Sequence, residues 1–450
     1  MRVAVLGAGV AGLVAARRLA REGHDALVLE RWPGLGGQAA TIDVGRGHLL
    51  ERYYHHWFTS DAHMRALCEE LGVAIEWLPS RIGFLLPDGR VLPFTTPGDL
   101  LRFDALPLRD RVRMGVAVLR LQRSRRPLAH FERETARSWI EREMGRNAWR
   151  VVWGPLLRGK FGDRADDISM AWLWGKLTLR RPLKGEEARK ELLGYPTASF
   201  EDLLARLRDD VEAHGGEVRI DAPARAVHRD GEGWRVEVAA PGAFRAGHDP
   251  SRFAPGGEER VDAVVATVPN DVFLQLVDEE QLAPGFADRL RHIEYHAALC
   301  LLLELDRPVG GFYWTNVADD AVPFVGFVEH TNFVGAERYD GRRFAYVANY
   351  VDRSDPRLGW SADELLASYE PGLRRIRPDW DPAWVKASWL HREPAAQPVV
   401  TVGYERLVPP LQTGAPGLVL ANTTSIYPED RGTNYAVRLG EQAAAAVLGR

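Results

Sequence analysis

The first thirty positions alternate between apolar and polar runs in a way that predicts a strand, a helix and a second strand. Val3–Leu6 is a short apolar run typical of a buried parallel strand. Leu13–Glu22 has helical periodicity, and Asp25–Glu30 is apolar between its two acidic ends. Gly7–Gly12, which reads Gly-Ala-Gly-Val-Ala-Gly, joins the first strand to the helix. This order predicts a βαβ unit with a glycine-rich turn.

Each glycine of that turn has a separate physical role in a dinucleotide site. Gly7 permits the tight turn, Gly9 lets a pyrophosphate approach the backbone, and Gly12 lets the helix pack closely on the strand. The N–H groups of Val10–Ala11, at the start of the helix, favour a phosphate. Glu30 ends the second strand, where a carboxylate accepts hydrogen bonds from a ribose. The motif alone does not separate NAD from FAD.

The rest of the chain contains further periodic segments. Apolar or alternating runs predict strands of a second sheet at Ala297–Leu305, Phe324–Glu329 and Phe344–Tyr350. Helical periodicity recurs at Leu108–Leu121, Glu132–Trp153, Asp202–His214 and Ala362–Arg375. Pro241–Glu259 is rich in glycine and proline, which predicts a surface excursion.

The segment after the second strand carries a resemblance to a known family. Glu30–Thr41 contains Arg31, the double glycine Gly36-Gly37 and then Gln38, and it resembles the corresponding stretch of the flavin amine oxidase superfamily. That superfamily includes amine oxidases, protoporphyrinogen oxidases and carotenoid desaturases and, more distantly, UDP-galactopyranose mutases. The resemblance implies FAD, with the double glycine along its pyrophosphate and ribityl chain. Many members have arginine where this chain has Gln38.

Two later segments resemble the same superfamily. Asp221–Val227 is similar to its adenine-side hairpin, which would bring the backbone of Ala224 to the adenine edge. The last fifty residues resemble its final strand and helix, whose N-terminus would face the flavin and stabilise the anionic reduced ring. The positions that this implies for the cofactor are Asn422, Arg431, Asn434 and Tyr435.

These patterns predict an α/β fold with a discontinuous Rossmann-like FAD-binding domain, an inserted helical cap and a β-sheet substrate domain. The predicted domains are residues 1–95, 191–290 and 401–450 for FAD, 96–190 for the cap, and 291–400 for the substrate sheet. No second GxGxxG follows a strand, which argues against a separate NAD(P)H domain.

Three places in the chain are candidates for catalysis. His55 and His56 lie in an aromatic run that resembles the flavin-face segment of UDP-galactopyranose mutases, where a histidine could shuttle a proton near neutral pH. Glu329 and His330 end an apolar strand of the predicted substrate sheet, and Tyr427 precedes the closing helix. Packed or capped polar groups are the alternative interpretation for each of them.

Composition excludes several classes of function. The formal net charge of −4 gives no basis for nucleic-acid binding. The two cysteines are far apart, and no His, Asp and Glu set has metal-ligand spacing, so neither a metal nor a disulfide is predicted. The N-terminus lacks the features of a secretory signal, and no apolar run approaches the roughly 18 residues of a spanning helix. A cytoplasmic protein is expected.

An arginine-rich stretch between Arg102 and Arg126 leaves three interpretations open. It is a solvated helix face, a peripheral contact with anionic lipid head groups, or a contact with anionic groups on a substrate. The leading functional hypothesis is an FAD-dependent oxidase, dehydrogenase or desaturase that takes hydride from a bulky, apolar, lipid-like small molecule. The run His296–Cys300 has no lysine where many amine oxidases carry one. The alternative is a non-redox isomerase of the UDP-galactopyranose mutase kind, and the electron acceptor is left open.

Overall fold

The structure is a computed structural model that describes residues 1–178, 192–242 and 250–449. The end of the predicted cap, from residue 179 onward, and part of the predicted excursion at 241–259 lie outside the described residues. The described strands, in chain order, are β1 Arg2–Leu6, β2 Asp25–Leu29, β3 Thr41–Asp43, β4 Leu49–Glu51, β5 Trp57–Phe58, β6 Ile75–Pro79, β7 Ile82–Leu85, β8 Val91–Pro93, β9 Leu192–Pro196, β10 Glu217–Arg219, β11 Ala224–Asp230, β12 Gly233–Ala239, β13 Pro255–Val261, β14 Ala263–Ala266, β15 Tyr295–Leu305, β16 Trp314–Val317, β17 Gly326–Glu329, β18 Arg343–Asp352, β19 Val385–Pro398 and β20 Leu418–Leu420.

The α-helices follow the same chain order. They are α1 Val10–Arg21, α2 Ala62–Leu71, α3 Pro97–Arg102, α4 Leu108–Arg123, α5 Leu128–Phe131, α6 Ala136–Glu143, α7 Arg146–Ala148, α8 Gly154–Phe161, α9 Met170–Thr178, α10 Phe200–Ala213, α11 Asn270–Leu276, α12 Phe286–Arg291, α13 Ala362–Ile376 and α14 Thr433–Val447.

A five-stranded parallel sheet forms the nucleotide-binding part, in the order β10-β2-β1-β14-β20. Its strands are apolar on both faces, because helices α1, α10 and α14 cover one face and the antiparallel sheet β11-β12-β13 lies on the other. Along β1 the alternation is clear, since Val3 and Val5 face the helices while Ala4 and Leu6 face the hairpin sheet. Such double coverage is typical of parallel sheets in α/β proteins.

A seven-stranded mixed sheet forms the second layer, in the order β19-β15-β18-β17-β16-β7-β8. Its longest almost fully buried strand is β15, the second in this order, which pairs antiparallel with both β18 and β19. Strand β7 joins this sheet through parallel pairing with β16. Residues 82–93 therefore lie with the substrate sheet, although the predicted boundary at residue 95 placed them with the FAD-binding domain. The pairing partner is more than 200 residues away in sequence, so local pattern gave no sign of it.

The cap consists of helices packed on one another. Within it, the single long helix predicted for Glu132–Trp153 is replaced by several short helices. That segment contains α6, α7 and a π-helical turn at Trp149–Trp153, and α8 follows directly from Gly154. Gly145, with a φ of 103°, separates the first two helices because that conformation cannot continue an α-helix. Buried side chains of α4, α6 and α9 share one hydrophobic cluster.

Most other predicted elements are confirmed, with small shifts at their ends. Helix α13 spans Ala362–Ile376, and Ser361 and Glu364 form the capping box that starts it. Helix α2 ends at Gly72, whose left-handed φ of 68° terminates it. The predicted excursion at Pro241–Glu259 is wrong at its C-terminal end, where residues 255–261 form β13 and pair with β12.

Candidate functional site

The glycine-rich turn builds the floor of a cavity at the carboxyl ends of the parallel strands. Gly7 has a φ of 104°, and its N–H donates to the carbonyl oxygen of Leu29 at 2.9 Å. A Cβ on Gly12 would lie 2.0 Å from the carbonyl oxygen of Gly7, so only glycine permits this helix to approach the turn. A Cβ on Gly9 would meet its nearest protein atom only at 4.0 Å and would project into the cavity.

The double glycine forms the opposite side of this cradle. The N–H of Gly36 donates to the carbonyl oxygen of Ala8 at 2.8 Å, and Gly36 makes a bridge with Gly9. Gly36 and Gly37 have φ values of 102° and 57°, which side-chain-bearing residues rarely adopt. Two backbone segments without side chains thus face each other, as a pyrophosphate requires.

Glu30 lies buried at the edge of the cavity and is held by backbone N–H groups. Its Oε2 accepts from Ala8 N at 2.6 Å, and its Oε1 accepts from Trp32 N at 2.8 Å. Burial raises the pKa of Glu30, and the two backbone donors oppose that rise. Each oxygen retains a further lone pair toward the cavity, so the predicted bond to a ribose hydroxyl is compatible with this arrangement.

The whole dinucleotide cavity has a volume of about 270 Å³. Predicted cofactor residues that line it are Gly7, Gly9, Val10, Ala11, Glu30, Arg31, Gly36, Gly37, Gln38, Ala224, Asn422 and Arg431. Gly12 does not line it but supports the turn beneath it. One end of the cavity lies at the carboxylate of Glu30 and the hairpin backbone at Ala224. The glycine cradle forms its middle, and the N-terminus of α14 forms its other end. This sequence of donors and acceptors fits FAD.

A second cavity of about 330 Å³, which we call the cap-side cavity, adjoins the first. Six residues line both cavities: Gln38, His55, Glu393, Arg431, Gly432 and Thr433. The wall of the cap-side cavity combines cap helices with sheet strands, and its aromatic and aliphatic members include Trp153, Leu156, Leu157, Trp172, Leu173, Trp314, Val317, Val325, Leu299 and Tyr350. Trp172 lines this wall, whereas the nearby Trp174 does not.

Arg431 is the charged group at the junction of the two cavities. Its guanidinium donates to Gln38 Oε1 at 3.1 Å, to Gln397 Oε1 at 3.0 Å and to Tyr350 Oη at 2.8 Å. These three partners are neutral, and Arg431 forms no ion pair within the described part of the chain. The N-terminus of α14 begins beside it at Gly432 and Thr433. A partly buried cation next to a helix N-terminus favours an anionic ligand.

The two candidate histidines both reach the cap-side cavity. His55 Nδ1 lies 2.6 Å from the carbonyl oxygen of Tyr53, and His56 Nδ1 lies 2.9 Å from Tyr313 Oη. Because a carbonyl only accepts, His55 carries its proton on Nδ1. Burial lowers the pKa of His55 to about 4. A lowered pKa favours the neutral form of His55 near neutral pH, so proton transfer by a histidine at this position stays a prediction.

The other three catalytic candidates lie away from both cavities. Glu329 accepts hydrogen bonds from Val309 N and Gly310 N at 2.8 and 2.7 Å, which fixes a loop. His330 is buried with its Nε2 2.7 Å from Tyr339 Oη. Tyr427 packs on Tyr404, with ring centroids 5.5 Å apart. We therefore assign no catalytic role to Glu329, His330 or Tyr427. The polar residues at the end of the strand hold the neighbouring loop in place.

Three predicted cofactor residues of the C-terminal segment, Asn422, Asn434 and Tyr435, lie at different places in the site. Asn422 lines the dinucleotide cavity, but its Nδ2 already donates to the carbonyl oxygen of Val268 at 2.8 Å and to Asn270 Oδ1 at 2.9 Å. Asn434 and Tyr435 line the cap-side cavity, and Asn434 Oδ1 accepts from Met64 N at 3.1 Å. Asn422 and Asn434 therefore mainly hold the backbone around the site.

Sequence reasoning missed several lining residues, of which Arg52 is the most informative. Arg52 lines the dinucleotide cavity, with its guanidinium 4.6 Å from the ring centroid of Trp32. It forms no ion pair among the described residues. Glu393, contributed by β19, lines both cavities. In the sequence, the one indication for Arg52 was its position directly after a short strand. Only the fold brings it near the glycine cradle.

We expect Arg52→Met to weaken FAD binding about tenfold, which corresponds to about 1.4 kcal/mol. The reason is that Gln38 leaves the cradle without the usual arginine, so Arg52 supplies cationic charge toward the phosphates. Fluorescence titration of the apoprotein with FAD measures the effect at low and high salt. Arg65→Met, which removes an arginine outside the cavity, serves as the control. An Arg52→Met protein with unchanged affinity at low salt would contradict this assignment.

The pKa of His55 predicts how stability responds to acid. The pKa falls from 6.5 to about 4 on folding, so below about pH 6.5 the unfolded chain takes up a proton that the folded protein does not. Stability from this group is therefore lost as the pH falls from 6.5 to 4, by up to about 3 kcal/mol. His55→Gln should lose correspondingly less free energy of unfolding between pH 7 and pH 4 in urea titrations. The exposed His292→Gln is the control, and equal acid losses in both variants would refute the prediction.

The fold and the two joined cavities define a flavin-dependent enzyme with a Rossmann-like nucleotide domain. Residues 10–448 match the sequence model of the flavin containing amine oxidoreductase family. The chain therefore belongs to that family, its cofactor is FAD, and its class is oxidoreductase.

The chain is similar to several individual proteins. It is 37% identical over 106 residues to the 15-cis-phytoene desaturase of Synechococcus elongatus, an alignment that covers 23% of this chain and 21% of that one. It is 32% identical over 415 residues to the chloroplastic/chromoplastic 15-cis-phytoene desaturase of Capsicum annuum, covering 84% of this chain and 65% of that one. A solved reduced UDP-galactopyranose mutase shares the fold with a TM-score of 0.72 at 15% identity, over 100% of this chain and 94% of that one. The chain thus spans about a fifth of the first of these relatives and under two thirds of the second.

Among the described residues, no cluster of three or more His, Cys, Asp or Glu side chains is arranged to hold a metal ion. Within the same residues, no helix combines the length and the apolar character needed to cross a bilayer.

Proposed function

We propose that this protein dehydrogenates a bulky, largely apolar organic molecule, as an oxidase or desaturase. The observation that carries the proposal is the cap-side cavity, which has a mainly apolar wall and opens directly onto the dinucleotide cavity through shared residues. The similarity to phytoene desaturases over 84% of the chain supports the same class of substrate. A substrate bound in the cap-side cavity would lie against the flavin end of FAD.

The residues of the chain divide the work of such a reaction between them. Trp153, Trp172 and Leu173 exclude water and hold apolar substrate by contact. His55, in its neutral form, and Tyr350 orient polar atoms at the junction. Arg431 stabilises negative charge there. Positioning of this kind accounts for a large part of catalysis when the cofactor supplies the chemistry.

The electron balance of the reaction is simple. Bound FAD supplies the site that accepts a hydride, while a proton leaves the substrate to water and a new double bond forms. Two electrons must then leave to an acceptor, which we propose is either dioxygen or a quinone. Consumption of oxygen during turnover distinguishes the first acceptor from the second.

Anaerobic reduction of the bound flavin tests the function. Purified holoprotein is mixed with 15-cis-phytoene in detergent micelles, and in parallel with putrescine and with UDP-galactopyranose. We expect bleaching of the flavin spectrum with phytoene or a similar polyene, and none with putrescine. Trp172→Ser should slow the bleaching while the FAD content stays unchanged, and Trp174→Ser is the matched control outside the cavity.

Other outcomes of this experiment would overturn the proposal. Bleaching by putrescine alone would identify an amine oxidase. Conversion of UDP-galactopyranose by pre-reduced protein, with no net loss of electrons, would identify the isomerase alternative. The cap-side cavity offers little to such a nucleotide diphosphate, because Lys160 and Lys176 on its wall are both engaged by Asp430 at 2.8 and 3.4 Å.

We also propose two features of organisation. The chain divides into an FAD-binding domain, a cap and a substrate sheet as predicted, with residues 82–93 transferred to the sheet. The cap brings the protein to a membrane surface, where an apolar substrate of this kind would partition.

A further inference from the structure

Helices α3 and α4 of the cap carry an exposed apolar surface. Eight large hydrophobic side chains are exposed among the described residues, and five of them lie on these two helices. They are Leu101, Leu108, Val112, Val116 and Leu119, which are 53, 60, 48, 38 and 47% exposed. We call these five residues the cap stripe. Such a concentration on a single face is unusual for a surface in contact with water alone.

The spacing along α4 shows that the cap stripe is a true helix face. Leu108, Val112 and Leu119 recur at intervals of four and seven residues, so they project in one direction. Met114 and Leu121 point the other way and are buried in the cap core. Helix α4 is therefore apolar on two opposite faces, and the described residues of the protein cover only one of them.

Arginines surround the cap stripe. Residues 101–126 contain eight arginines and two aspartates, a net charge of +6 in a protein whose overall charge is −4. Asp110 is buried, accepts from Asn147 Nδ2 and pairs with Arg109 at 3.5 Å, so it offsets the charge of that one arginine. Arg120, Arg123 and Arg125 form no ion pair within the described ranges. An apolar face bordered by arginines complements an anionic bilayer, since the side chains enter the interface while the cations meet head groups.

The cap stripe is also close to the substrate cavity. The core face of α4 packs against α9, and Gln122 Nε2 donates to the carbonyl oxygen of Leu177 at 3.1 Å. Trp172 and Leu173 of α9 line the cap-side cavity. One helix thus separates the surface from the cavity.

We infer that the cap stripe inserts into the head-group region of an anionic lipid membrane and docks the enzyme there. This inference rests on the proposed function, because it gives the protein access to an apolar substrate dissolved in the bilayer. The arginine-rich stretch was recognised from the sequence, whereas the exposure of the apolar face is seen only in the structure. Docking of this kind leaves no spanning helix and is reversible.

Vesicle co-sedimentation of the holoprotein tests the inference. Binding to vesicles of phosphatidylcholine mixed with phosphatidylglycerol should exceed binding to phosphatidylcholine alone. The combined variant Leu108→Ser, Val112→Ser, Leu119→Ser should reduce partition to both by at least about tenfold. The combined variant Arg120→Gln, Arg123→Gln, Arg125→Gln should weaken only the preference for anionic vesicles, by about tenfold or more. FAD content and thermal midpoint verify that each variant is folded.

The control variants use exposed apolar residues elsewhere. Ile220→Ser and Val402→Ser, at positions 46 and 41% exposed, should bind vesicles as the wild type does. Absence of wild-type binding to either vesicle, or full binding by the stripe variant, would overturn the inference. So would a dimer in sedimentation velocity that the stripe variant abolishes, because a second copy would then cover the face. Flavin reduction in detergent micelles is measured separately, so failure of docking is distinguishable from failure of the proposed activity.

Discussion

Gly9→Leu is expected to give a folded protein that no longer retains FAD. Gly9 has a φ of −70°, which any residue adopts, and its Cβ would meet no protein atom closer than 4.0 Å. The added side chain therefore extends into the cradle between Gly9 and Gly36, where the pyrophosphate would lie. We expect FAD affinity to fall more than 100-fold, or by about 3 kcal/mol, with the stability of the apoprotein changed by less than about 1 kcal/mol.

Flavin absorbance of the purified protein and FAD titration of the apoprotein measure this effect. Gly34→Leu is the matched control, because Gly34 lies in the neighbouring loop, is exposed and has open space around it. Gly12→Leu should behave differently and lose stability as well as FAD, since its Cβ would collide with the Gly7 carbonyl oxygen. Wild-type FAD occupancy in Gly9→Leu would show that the cofactor does not cross this cradle.

Arg431→Met is expected to produce the largest loss among changes at the junction of the cavities. The guanidinium is partly buried and has neutral hydrogen-bond partners beside the N-terminus of α14, so its charge acts on whatever fills the junction. Loss of one charged hydrogen-bond donor destabilises a bound anion, here the reduced flavin, by about 2 kcal/mol. For a two-electron reduction, this lowers the reduction potential of the bound FAD by about 40 mV. Flavin reduction by substrate should slow about 100-fold.

Spectroelectrochemical titration of the holoprotein measures the potential, and stopped-flow absorbance measures the rate. Arg431→Lys should recover part of the potential because it keeps a positive charge. Arg438→Met, which removes an arginine paired with Glu429 further along α14, should leave the potential unchanged. If Arg431→Met had the wild-type potential, the residue would only support packing.

The N-terminal cradle could be predicted from the sequence because its residues are local. Gly7, Gly9, Gly12 and Glu30 lie within one βαβ unit, so backbone geometry over a few residues fixes how they meet. Gly36 and Gly37 follow at short range. The closing helix was also predictable, since its periodicity and its position after an apolar strand both depend on neighbouring residues.

The catalytic candidates in the second sheet show where such reasoning failed. Glu329 and His330 have the residue types of an active site, yet they anchor loops because of groups 20 and 9 positions away. Arg52 and Glu393 have no local motif, and long-range packing brings them to the cavities. His55 lines both cavities, and the burial that lowers the pKa of its ring comes from distant elements.

By itself, the sequence determined the glycine cradle of a dinucleotide site, and its resemblance to the flavin amine oxidase superfamily indicated that the dinucleotide is FAD. The cradle depends on backbone conformation within short segments, which residue type controls directly. Tertiary structure alone decided which side chains share the cap-side cavity, that Arg431 joins it to the dinucleotide cavity, and that the cap stripe is exposed. These depend on contacts between residues hundreds of positions apart, where burial and electrostatics arise only after folding.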